Sequence, residues 1–333
     1  MLKSKKNVVG VELDTGFIRA VELKNVRGTA SIEAAGQIAV TEKAVQSGVV
    51  QQPEVLVNAL QKLWHTANFQ SRQVVLAVFN HNVLLRFINY RKIKKDKLKQ
   101  AILWQLDSYL PLSSKEMVVD VAVLGENQAE EKYEVMLVAA KKTQLVSNIT
   151  PFFQSKLITQ AVDVVPLALL RLLSPAQRKG TIVMLDLALG LNSLVAAVDG
   201  LPRLATIIPH SLQQYLQQLD LSLISNQVSP HILKQEERDA LSGWCKAVKG
   251  ELESAIDYFL AQQRLTKVDK LYLSGYGARM QGIRKFLQKE IGMPVETIRP
   301  AAKLTTKNKE LQLMVNNPEF AVSTGLAMYG WKG

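Results

Sequence analysis

The chain has 333 residues, of which 41 are Lys or Arg and 29 are Asp or Glu, so its formal net charge is +12. Its 47% hydrophobic and 21% charged residues are typical of a globular protein and exclude intrinsic disorder, and the length predicts at least two packed units. The single cysteine excludes an internal disulfide and a multi-cysteine metal site, and it predicts a reducing compartment.

No segment approaches the roughly 18 consecutive apolar residues that a membrane-spanning helix needs. The most apolar run, residues 161–173, is interrupted by Asp163, Pro166 and Arg171. The basic N-terminal residues meet Gly10 and Glu12 before a signal-peptide core could form. We therefore expect the protein to stay in the cytoplasm.

The first part of the chain predicts an antiparallel meander followed by a helix. Residues 8–13, 17–23 and 29–40 are typical of three strands, and Asp14-Thr15-Gly16 is typical of a turn. Residues 53–67 have apolar positions at helical spacing and a proline in the first turn, which predicts a helix.

The middle of the chain has a different pattern, which predicts a β-rich subdomain with its own helices. Residues 73–90 predict a strand pair that turns near residues 80–82, and residues 94–109 predict an amphipathic helix that Pro111 ends. Strands are predicted at 118–124 and 133–140, and a helix at 143–156.

The second half repeats the opening of the chain. Strands are predicted at 181–186, 192–198 and 201–208, and the first of them ends at an acidic residue, as the first strand of the chain nearly does. The recurrence indicates two related halves, although meanders are common enough for coincidence to stay open. The remaining predictions are helices around 211–219, 236–265, 282–291 and 318–329, and a strand at 270–274.

Familiar catalytic motifs are missing from the sequence. The four histidines are far apart and lack metal-ligand spacing, and no G-x-S-x-G or G-x-x-x-x-G-K-[ST] motif occurs. The glycines around Gly275 do not satisfy G-x-G-x-x-G. Cys245 has no activating base nearby in the sequence and is predicted to be structural.

Three glycine-containing loops, each preceded by a predicted strand, suggest a nucleotide site. Residues 10–16 offer carboxylates and a hydroxyl suited to hydrated magnesium, and residues 186–190 turn at the corresponding place in the second half. Residues 273–278 lie between a strand and a helix, where backbone N–H groups can meet an anion.

At these loops the sequence resembles the actin-like ATPase superfamily, in the branch of the cell-division protein FtsA and the type IV pilus assembly protein PilM. The resemblance to PilM covers essentially the whole chain, through VVGVELDTGFIRAVEL, AILWQLDSYLPLS, YEVMLVAAKKTQLVSNI, IVMLDLALGLNSLVAAVDG and LYLSGYGARMQGIRKFLQKEIGMPVE. A related component, MshI, serves mannose-sensitive haemagglutinin pili, and membership of that subgroup is left open.

The resemblance implies an α/β, actin-like (ribonuclease H-like) two-lobe fold with an FtsA-type inserted subdomain. The implied divisions are the first lobe's core at 1–72, the insert at 73–157, a return to the first lobe at 158–180, the second lobe at 181–315 and a C-terminal helix returning to the first lobe at 316–333.

The resemblance also implies a function as a cytoplasmic scaffold of the pilus assembly platform. Such a protein captures the N-terminal cytoplasmic tail of a PilN-like membrane protein, between the first lobe's core and the insert, and is associated with the inner membrane through that partner and other platform components. The candidate groove residues are Gln105, Tyr109, Pro111 and Leu112. The alternative is that Trp104, Leu106 and Tyr109 only pack the helix of the insert.

The candidate nucleotide site departs from the family pattern in each loop. Glu12 and Asp14 stand for Asp and Gly in the first loop, Ala188 for Gly in the second, and Tyr276 for the middle of three glycines in the third. The candidate nucleotide-binding residues are Glu12, Asp14, Thr15, Gly16, Asp186, Ala188, Gly190, Gly275, Tyr276 and Gly277. The crowding and the extra charge predict weak, magnesium-dependent ATP binding or none, with Asp14 and Asp186 as magnesium ligands only alongside nucleotide. We expect a degenerate ATPase acting as a scaffold, with an active ATP-driven switch as the rival.

Residues 86–99 hold seven basic residues and one acid. A solvated surface is the simplest interpretation of this run. Of the sharper interpretations, contact with the anionic inner leaflet is preferred to nucleic acid, because the sequence contains no nucleic-acid-binding motif.

Overall fold

The structure is a computed structural model, and it describes residues 7–26, 29–109, 116–128, 130–216 and 235–331. Its strands, in chain order, are β1 (Val8–Asp14), β2 (Phe17–Val26), β3 (Thr29–Ala39), β4 (Val45–Gln46), β5 (Val49–Val50), β6 (Gln73–Ala77), β7 (Val83–Arg91), β8 (Met117–Asn127), β9 (Lys132–Lys141), β10 (Ile158–Asp163), β11 (Thr181–Asp186), β12 (Asn192–Val198), β13 (Leu201–Ile208), β14 (Lys270–Ser274) and β15 (Val295–Thr297). Its helices are α1 (Pro53–Thr66), α2 (Lys95–Trp104), α3 (Lys142–Gln154), α4 (Val165–Leu172), α5 (Leu212–Leu216), α6 (Gln235–Gln263), α7 (Ile283–Ile291), α8 (Lys309–Val315) and α9 (Ala321–Ala327).

Two five-stranded sheets share one topology. The first has the strand order β10-β6-β1-β2-β3, and the second has the order β13-β12-β11-β14-β15. In each sheet an antiparallel meander is extended, beyond its first strand, by two parallel strands. Both predicted meanders are confirmed, and the match of the added parallel strands shows that the two halves are related in topology.

The central strand of each sheet is apolar because both of its faces are covered. All six residues of β11 are buried, and β1 is buried over most of its length. These strands are therefore mainly apolar, with Glu12 as an interior exception in β1, and each ends at a carboxylate, Asp14 in β1 and Asp186 in β11.

Helices α4 and α9 lie between the two sheets and pack very closely. A Cβ on Gly10 of β1 would overlap the carbonyl oxygen of Ser323, and a Cβ on Gly325 would overlap the carbonyl oxygen of Ala168. Their shared core takes residues from the helices and from both sheets, including Val75, Leu169, Met184, Val195, Val322 and Leu326. This packing joins the two lobes and leaves a cleft at the carboxyl ends of β1 and β11.

The predicted strand pair at residues 73–90 is wrong. Strand β6 pairs in parallel with β1 and β10 in the first sheet, whereas β7 pairs with β9 in a separate sheet of order β7-β9-β8. The predicted turn does form, because Val83 N donates to Asn80 O at 2.9 Å, but it is not a hairpin turn because the strands on its two sides belong to different sheets. The alternating pattern predicted both strands correctly, but it could not show which strands they pair with.

The β7-β9-β8 sheet and α2 form a small unit with its own core. Helix α3 instead packs against α1, and its Phe152 lies in the core of the first sheet. The segment predicted as the insert, 73–157, therefore begins and ends with elements that pack on the first sheet. The helix predicted at 94–109 is shorter, because α2 ends at Trp104 and Leu106–Ser108 form a 3₁₀ turn.

Among the described residues, no helix is both long enough and apolar enough to span a membrane.

Candidate functional site

A buried arginine lies beneath the first loop. Thr15 and Gly16 form a two-residue turn between β1 and β2, and this register places Arg19 directly opposite Glu12. Arg19 is 1% exposed, and its Nη1 lies 3.2 Å from Asp14 Oδ2 and 3.7 Å from Glu12 Oε2. Burial works against its charge, but the neighbouring Glu12 and Asp14 carboxylates outweigh that effect and raise the pKa of Arg19. One cation therefore holds two carboxylates inside the protein.

The carboxylate of Asp14 is bound by backbone N–H groups from both lobes. Its Oδ1 accepts hydrogen bonds from Thr15 N at 2.8 Å and from Gly190 N at 3.2 Å. Its Oδ2 accepts one from Leu189 N at 3.2 Å in addition to the bond from Arg19. Loop N–H groups of this kind commonly bind phosphate or another anion. Here the anion at the second lobe's loop is a side chain from the first lobe.

The approach of the two loops depends on a glycine. A Cβ on Gly190 would overlap the hydroxyl of Thr15. Any other residue at this position would push the first loop away from the second. Gly190 therefore allows the contact between the loops whether or not a nucleotide binds.

The carboxylate of Asp186, 2% exposed, lies beside this contact. Its Oδ1 accepts a 2.6 Å hydrogen bond from Ser274 Oγ at the end of β14. Burial raises the pKa of Asp186 to about 6; the Ser274 hydrogen bond and Arg19 lower it, and repulsion from Asp14 adds to the rise.

The pKa of Glu12 is raised as well. Burial is the main reason that the pKa of Glu12 is raised well above its ordinary value, with Arg19 opposing the shift and nearby carboxylates reinforcing it. Glu319, 2% exposed, binds Arg279 at 2.6 Å, and its charge also acts on Glu12 and Arg19. The buried carboxylates therefore outnumber the guanidinium groups that neutralise them: Glu12, Asp14, Asp186 and Glu319 against Arg19 and Arg279.

The third loop, after β14, has its N–H groups occupied. Gly275 N donates to Pro318 O at 3.0 Å, and Gly277 N donates to Leu187 O at 2.7 Å. The ring of Tyr276 stacks on Phe17 of β2, with centroids 6.3 Å apart and an interplanar angle of 19°. This aromatic pair is a second direct contact between the lobes.

The space that remains between the loops is small. Glu12, Asp14, Thr15, Asp186 and Ala188 line one cavity of about 50 Å³. Such a volume holds water molecules, whereas small-molecule pockets are typically about 300–1,000 Å³. The N–H donors that a polyphosphate would need are bound to Asp14, and both Asp14 oxygens that magnesium would need are already hydrogen-bonded. The residues as arranged do not fit magnesium and ATP.

The family model described as type IV pilus assembly protein PilM matches residues 10–194 and 228–331. The chain belongs to the PilM family. It is similar to the PilM-PilN type IV pilus biogenesis complex, with a TM-score of 0.84 and 22% identity, covering 98% of this chain and 99% of that chain. It is also similar to the ethanolamine utilization protein EutJ from Carboxydothermus hydrogenoformans, with a TM-score of 0.55, 12% identity, and 98% and 90% of the two chains covered.

A further similar structure is MreB5 of Spiroplasma citri bound to AMPPNP, with a TM-score of 0.52, 8% identity, and 98% of this chain and 96% of that chain covered. The predicted family and the predicted actin-like two-lobe fold are confirmed by these matches. Membership of the MshI subgroup stays a prediction.

In this PilM-family chain, the predicted nucleotide-site residues lie in three loops that do meet. The first two loops share the 50 Å³ cavity and the Asp14 hydrogen bonds, and the third packs on Leu187. Gly16, with a φ of 81°, faces a separate cavity of about 120 Å³ that Phe17 and Leu189 also line. Among the described residues, no group of three or more His, Cys, Asp or Glu side chains could hold a metal ion.

The predicted groove residues lie beyond the end of α2. Gln105 is exposed, and Tyr109 is half-buried against the core of the β7-β9-β8 unit. Pro111 and Leu112 lie outside the described residues. Of the residues that the alternative assigns to packing, Leu106 is buried, whereas Trp104 is 81% exposed.

The sequence analysis missed Arg19, Ser274 and Glu319. Arg19 could have been found from the sequence, because a two-residue turn at Thr15 and Gly16 places it opposite Glu12, where the two side chains can form a cross-strand ion pair. Ser274 is the register partner of Asp186 in the parallel pair β11–β14, so it becomes visible only when that pairing is known. Glu319 comes from a distant 3₁₀ turn, and no local pattern marks it.

Cys245 is partly buried against the core of the second lobe. Burial raises the pKa of its thiol to about 11. The thiol is therefore protonated at neutral pH, which favours the predicted structural role over a nucleophile.

Proposed function

We propose that this PilM-family chain is a scaffold of a type IV pilus assembly platform and not an enzyme. In this proposal it binds the N-terminal cytoplasmic tail of a PilN-like membrane protein, which keeps it in the cytoplasm at the inner membrane beside other platform components. The observation that carries the proposal is the similarity to the PilM-PilN complex over 98% of the chain.

The cleft supports a scaffold over an ATPase. For a polyphosphate to bind at the second loop, Asp14 would have to leave the N–H groups of Leu189 and Gly190, and its charge would then lie beside the phosphate. Two like charges about 4 Å apart repel by about 4 kcal/mol at an effective dielectric constant of about 20. In the scaffold, Asp14 joins the lobes in the absence of nucleotide.

The alternative is an ATP-binding or ATP-hydrolysing switch of the same machine. It is supported by Asp14, Thr15 and Asp186 lining one cavity, so that a modest opening of the lobes would let them hold a magnesium–phosphate unit. Calorimetry with ATP and magnesium distinguishes the two. The scaffold predicts no saturable binding at millimolar nucleotide, and saturable binding that Asp186→Ala abolishes would establish the switch.

We propose that the partner tail binds at residues 105–112, a range that begins where α2 gives way to the 3₁₀ turn and whose residues 110–112 lie outside the described residues. Leu103, Trp104 and Gln105 are exposed one after another, so the end of α2 presents apolar and polar side chains together. Tyr109 has one side against the core of the unit and the other towards solvent. An aromatic residue of this kind is a common anchor in protein interfaces.

A synthetic peptide with the N-terminal cytoplasmic sequence of the cognate PilN-like protein tests this placement by fluorescence polarisation. Gln105→Ala and Tyr109→Ala are expected to weaken binding about tenfold, and Tyr258→Ala, an exposed tyrosine of the second lobe, to leave it unchanged. Gln105 is exposed, so its substitution should not disturb folding, and circular dichroism checks the fold of Tyr109→Ala. Failure of the unaltered protein to bind the peptide would refute the partner proposal.

The basic run at 86–99 is proposed to face the anionic inner leaflet. Part of its charge is neutralised, because Lys92 and Lys95 both bind Glu126 at 2.9 Å and Lys99 binds Asp120 at 2.6 Å. Arg86, Arg91, Lys94 and Lys97 form no ion pair with the described part of the chain. These remaining charges can attract anionic lipid.

Vesicle sedimentation tests the membrane contact. Binding to phosphatidylglycerol vesicles but not to phosphatidylcholine vesicles is expected, and a triple Lys94→Gln, Lys95→Gln and Lys97→Gln variant should bind less. Equal binding to both kinds of vesicle would contradict it. DNA affinity that falls steeply with salt would instead indicate the nucleic-acid surface that we reject.

A further inference from the structure

A cavity of about 600 Å³ lies outside the cleft, in the seam between the lobes. Residues 298–304 line it as the chain leaves β15 of the second sheet and crosses to the first. There Thr305 N donates to Ala30 O at 3.0 Å, and Ile32 N donates to Thr305 O at 2.8 Å. Leu172 at the end of α4 and Met328 beyond α9 add walls from the helices between the sheets. We call this cavity the seam pocket.

The charges around the seam pocket are mostly positive. Arg284 of α7, Arg299 and Lys303 line it, and none of them forms an ion pair within the described ranges. Glu296, an acid in the same lining, is already bound to Lys270 at 3.1 Å. The pocket therefore presents three cations whose carboxylate partners are missing from the described residues.

Lys303 shows that this positive charge is poorly compensated. Its Nζ donates only to neutral acceptors, Gln177 Oε1 at 2.9 Å and Leu172 O at 3.4 Å. Lys303 is exposed, but partial burial of its amine lowers its pKa, and repulsion from the nearby Arg178 adds to the effect. A bound anion would favour the charged form of Lys303 and so offset both the burial and the repulsion.

The shape and the apolar part of the lining narrow the class of ligand. The pocket volume lies within the usual range for small-molecule sites, and Ile298, Pro300 and Leu304 give it an apolar wall. The planar guanidinium groups of arginine match the oxygens of phosphate, and lysine adds a point charge. We propose that the seam pocket binds a small molecule that carries a phosphate and a net negative charge, with its phosphate at Arg284, Arg299 and Lys303 and its apolar part against residues 298–304.

Such a phosphate can come from the headgroup of an anionic phospholipid or from a water-soluble compound. Methyl-labelled methionine NMR of the full-length protein reports on the site directly, because Met328 lines the pocket and the other described methionines do not. The probes are inorganic pyrophosphate and short-chain phosphatidylglycerol, with short-chain phosphatidylcholine as the zwitterionic control.

We expect a saturable shift of the Met328 resonance with phosphatidylglycerol, with pyrophosphate or with both, and no shift with phosphatidylcholine. A shift with the lipid alone identifies a headgroup, and a shift with pyrophosphate identifies a water-soluble phosphate or a site open to both sources. Met136, in a separate core beside β7 and β9, serves as the internal reference. If neither phosphate probe moves Met328, or if phosphatidylcholine moves it equally, the proposal is wrong.

Matched charge removals separate a built site from general attraction. Arg284→Gln combined with Arg299→Gln should raise the apparent Kd about tenfold or more. Lys285→Gln combined with Lys289→Gln removes the same charge from exposed positions on α7 outside the pocket lining, and should change the Kd less than twofold. Equal weakening by the two pairs would overturn the proposal, and unchanged melting temperatures would show that both variants are folded.

Discussion

The loops after β1 and β11 occupy equivalent positions in the two sheets but contribute different groups to the cleft. The first is a two-residue turn, so its strands stay paired up to Asp14 and Phe17 and its contribution is made by side chains. In the second, pairing stops at Asp186 and Ser193, and the longer loop between them presents the backbone N–H groups of Leu189 and Gly190. One lobe supplies an anion and the other supplies its donors.

This difference explains how the two loops hold each other in contact. In the first loop, Glu12 and Asp14 add negative charge, and Arg19 neutralises part of it from the opposite strand. In the second lobe, the carboxylate of Asp186 accepts a hydrogen bond from the Ser274 hydroxyl but, among the described residues, lies beside no cation as close as Arg19 is to Asp14, and burial raises its pKa. The two loops therefore depend on charge in opposite ways, and substitutions in each should act with opposite sign on stability.

The largest effect is expected from Arg19→Met. The substitution leaves Glu12 and Asp14 buried without their cation, and breaking a buried ion pair in this way typically costs about 3–5 kcal/mol. Urea unfolding at pH 7.5 measures the loss. Adding Glu12→Gln and Asp14→Asn to Arg19→Met should recover part of it, because the uncompensated charges are then removed. A cost below about 1 kcal/mol for Arg19→Met alone would show that the carboxylates do not depend on Arg19.

A smaller effect, and a gain in stability, is expected from Asp186→Asn. The folded pKa of Asp186 is raised from 3.8 to about 6, so between these values the folded state keeps a proton that the unfolded state has lost. The free energy of unfolding therefore falls on this account as pH rises from about 4 to about 6, and stays lowered above pH 6. Asparagine keeps an acceptor for Ser274 but carries no charge.

The Asp186→Asn variant should thus be more stable than the unaltered protein by about 3 kcal/mol at pH 7.5, with the difference vanishing below about pH 4. Urea unfolding at a series of pH values measures it. Asp257→Asn, which removes an exposed carboxylate of α6, is the control and should show no such pH dependence. A gain that is the same at pH 4 and pH 7.5 would rule out titration of Asp186 as its cause.

Local signals were enough to predict the strands of both meanders and helix α1, because alternation, helical spacing and turn residues lie within each segment. They were not enough for β6, whose partner β1 lies far away in the sequence, so its pairing was predicted incorrectly. Strand β10 was not predicted at all, because it is a short edge strand whose residues are mostly exposed or half-buried, so its sequence lacks a run of buried apolar residues.

Local sequence signals were also insufficient for part of the candidate site. The sequence predicted which loops would meet, since each follows a strand at an equivalent place. It did not predict that Asp14 binds the N–H groups of the second loop, because that contact joins residues 175 positions apart and depends on where a backbone points. The position of Arg19 opposite Glu12 could have been predicted, because the length of the turn alone determines the register.

The smallest effect on stability, and the sharpest test of the comparison, is expected from Asp14→Ser. The substitution removes the anion from Leu189, Gly190 and Arg19, which costs about 1.5–3 kcal/mol for hydrogen bonds to a charged group. Glu12 still lies beside Arg19, and the loss of repulsion on Glu12 and Asp186 offsets part of the cost, so the net loss should be about 1–2 kcal/mol.

The freed donors and the freed Arg19 should then accept phosphate. We therefore expect Asp14→Ser, unlike the unaltered protein, to bind ATP with magnesium measurably by calorimetry, and hydrogen exchange at residues 187–191 to rise in the variant and fall again with nucleotide. Thr15→Ser, which changes the same loop but keeps Asp14, should bind no nucleotide. If Asp14→Ser shows faster exchange at 187–191 but no nucleotide binding, the carboxylate joins the lobes without standing in for phosphate. If exchange there does not change, the hydrogen bonds between the loops do not hold the cleft closed.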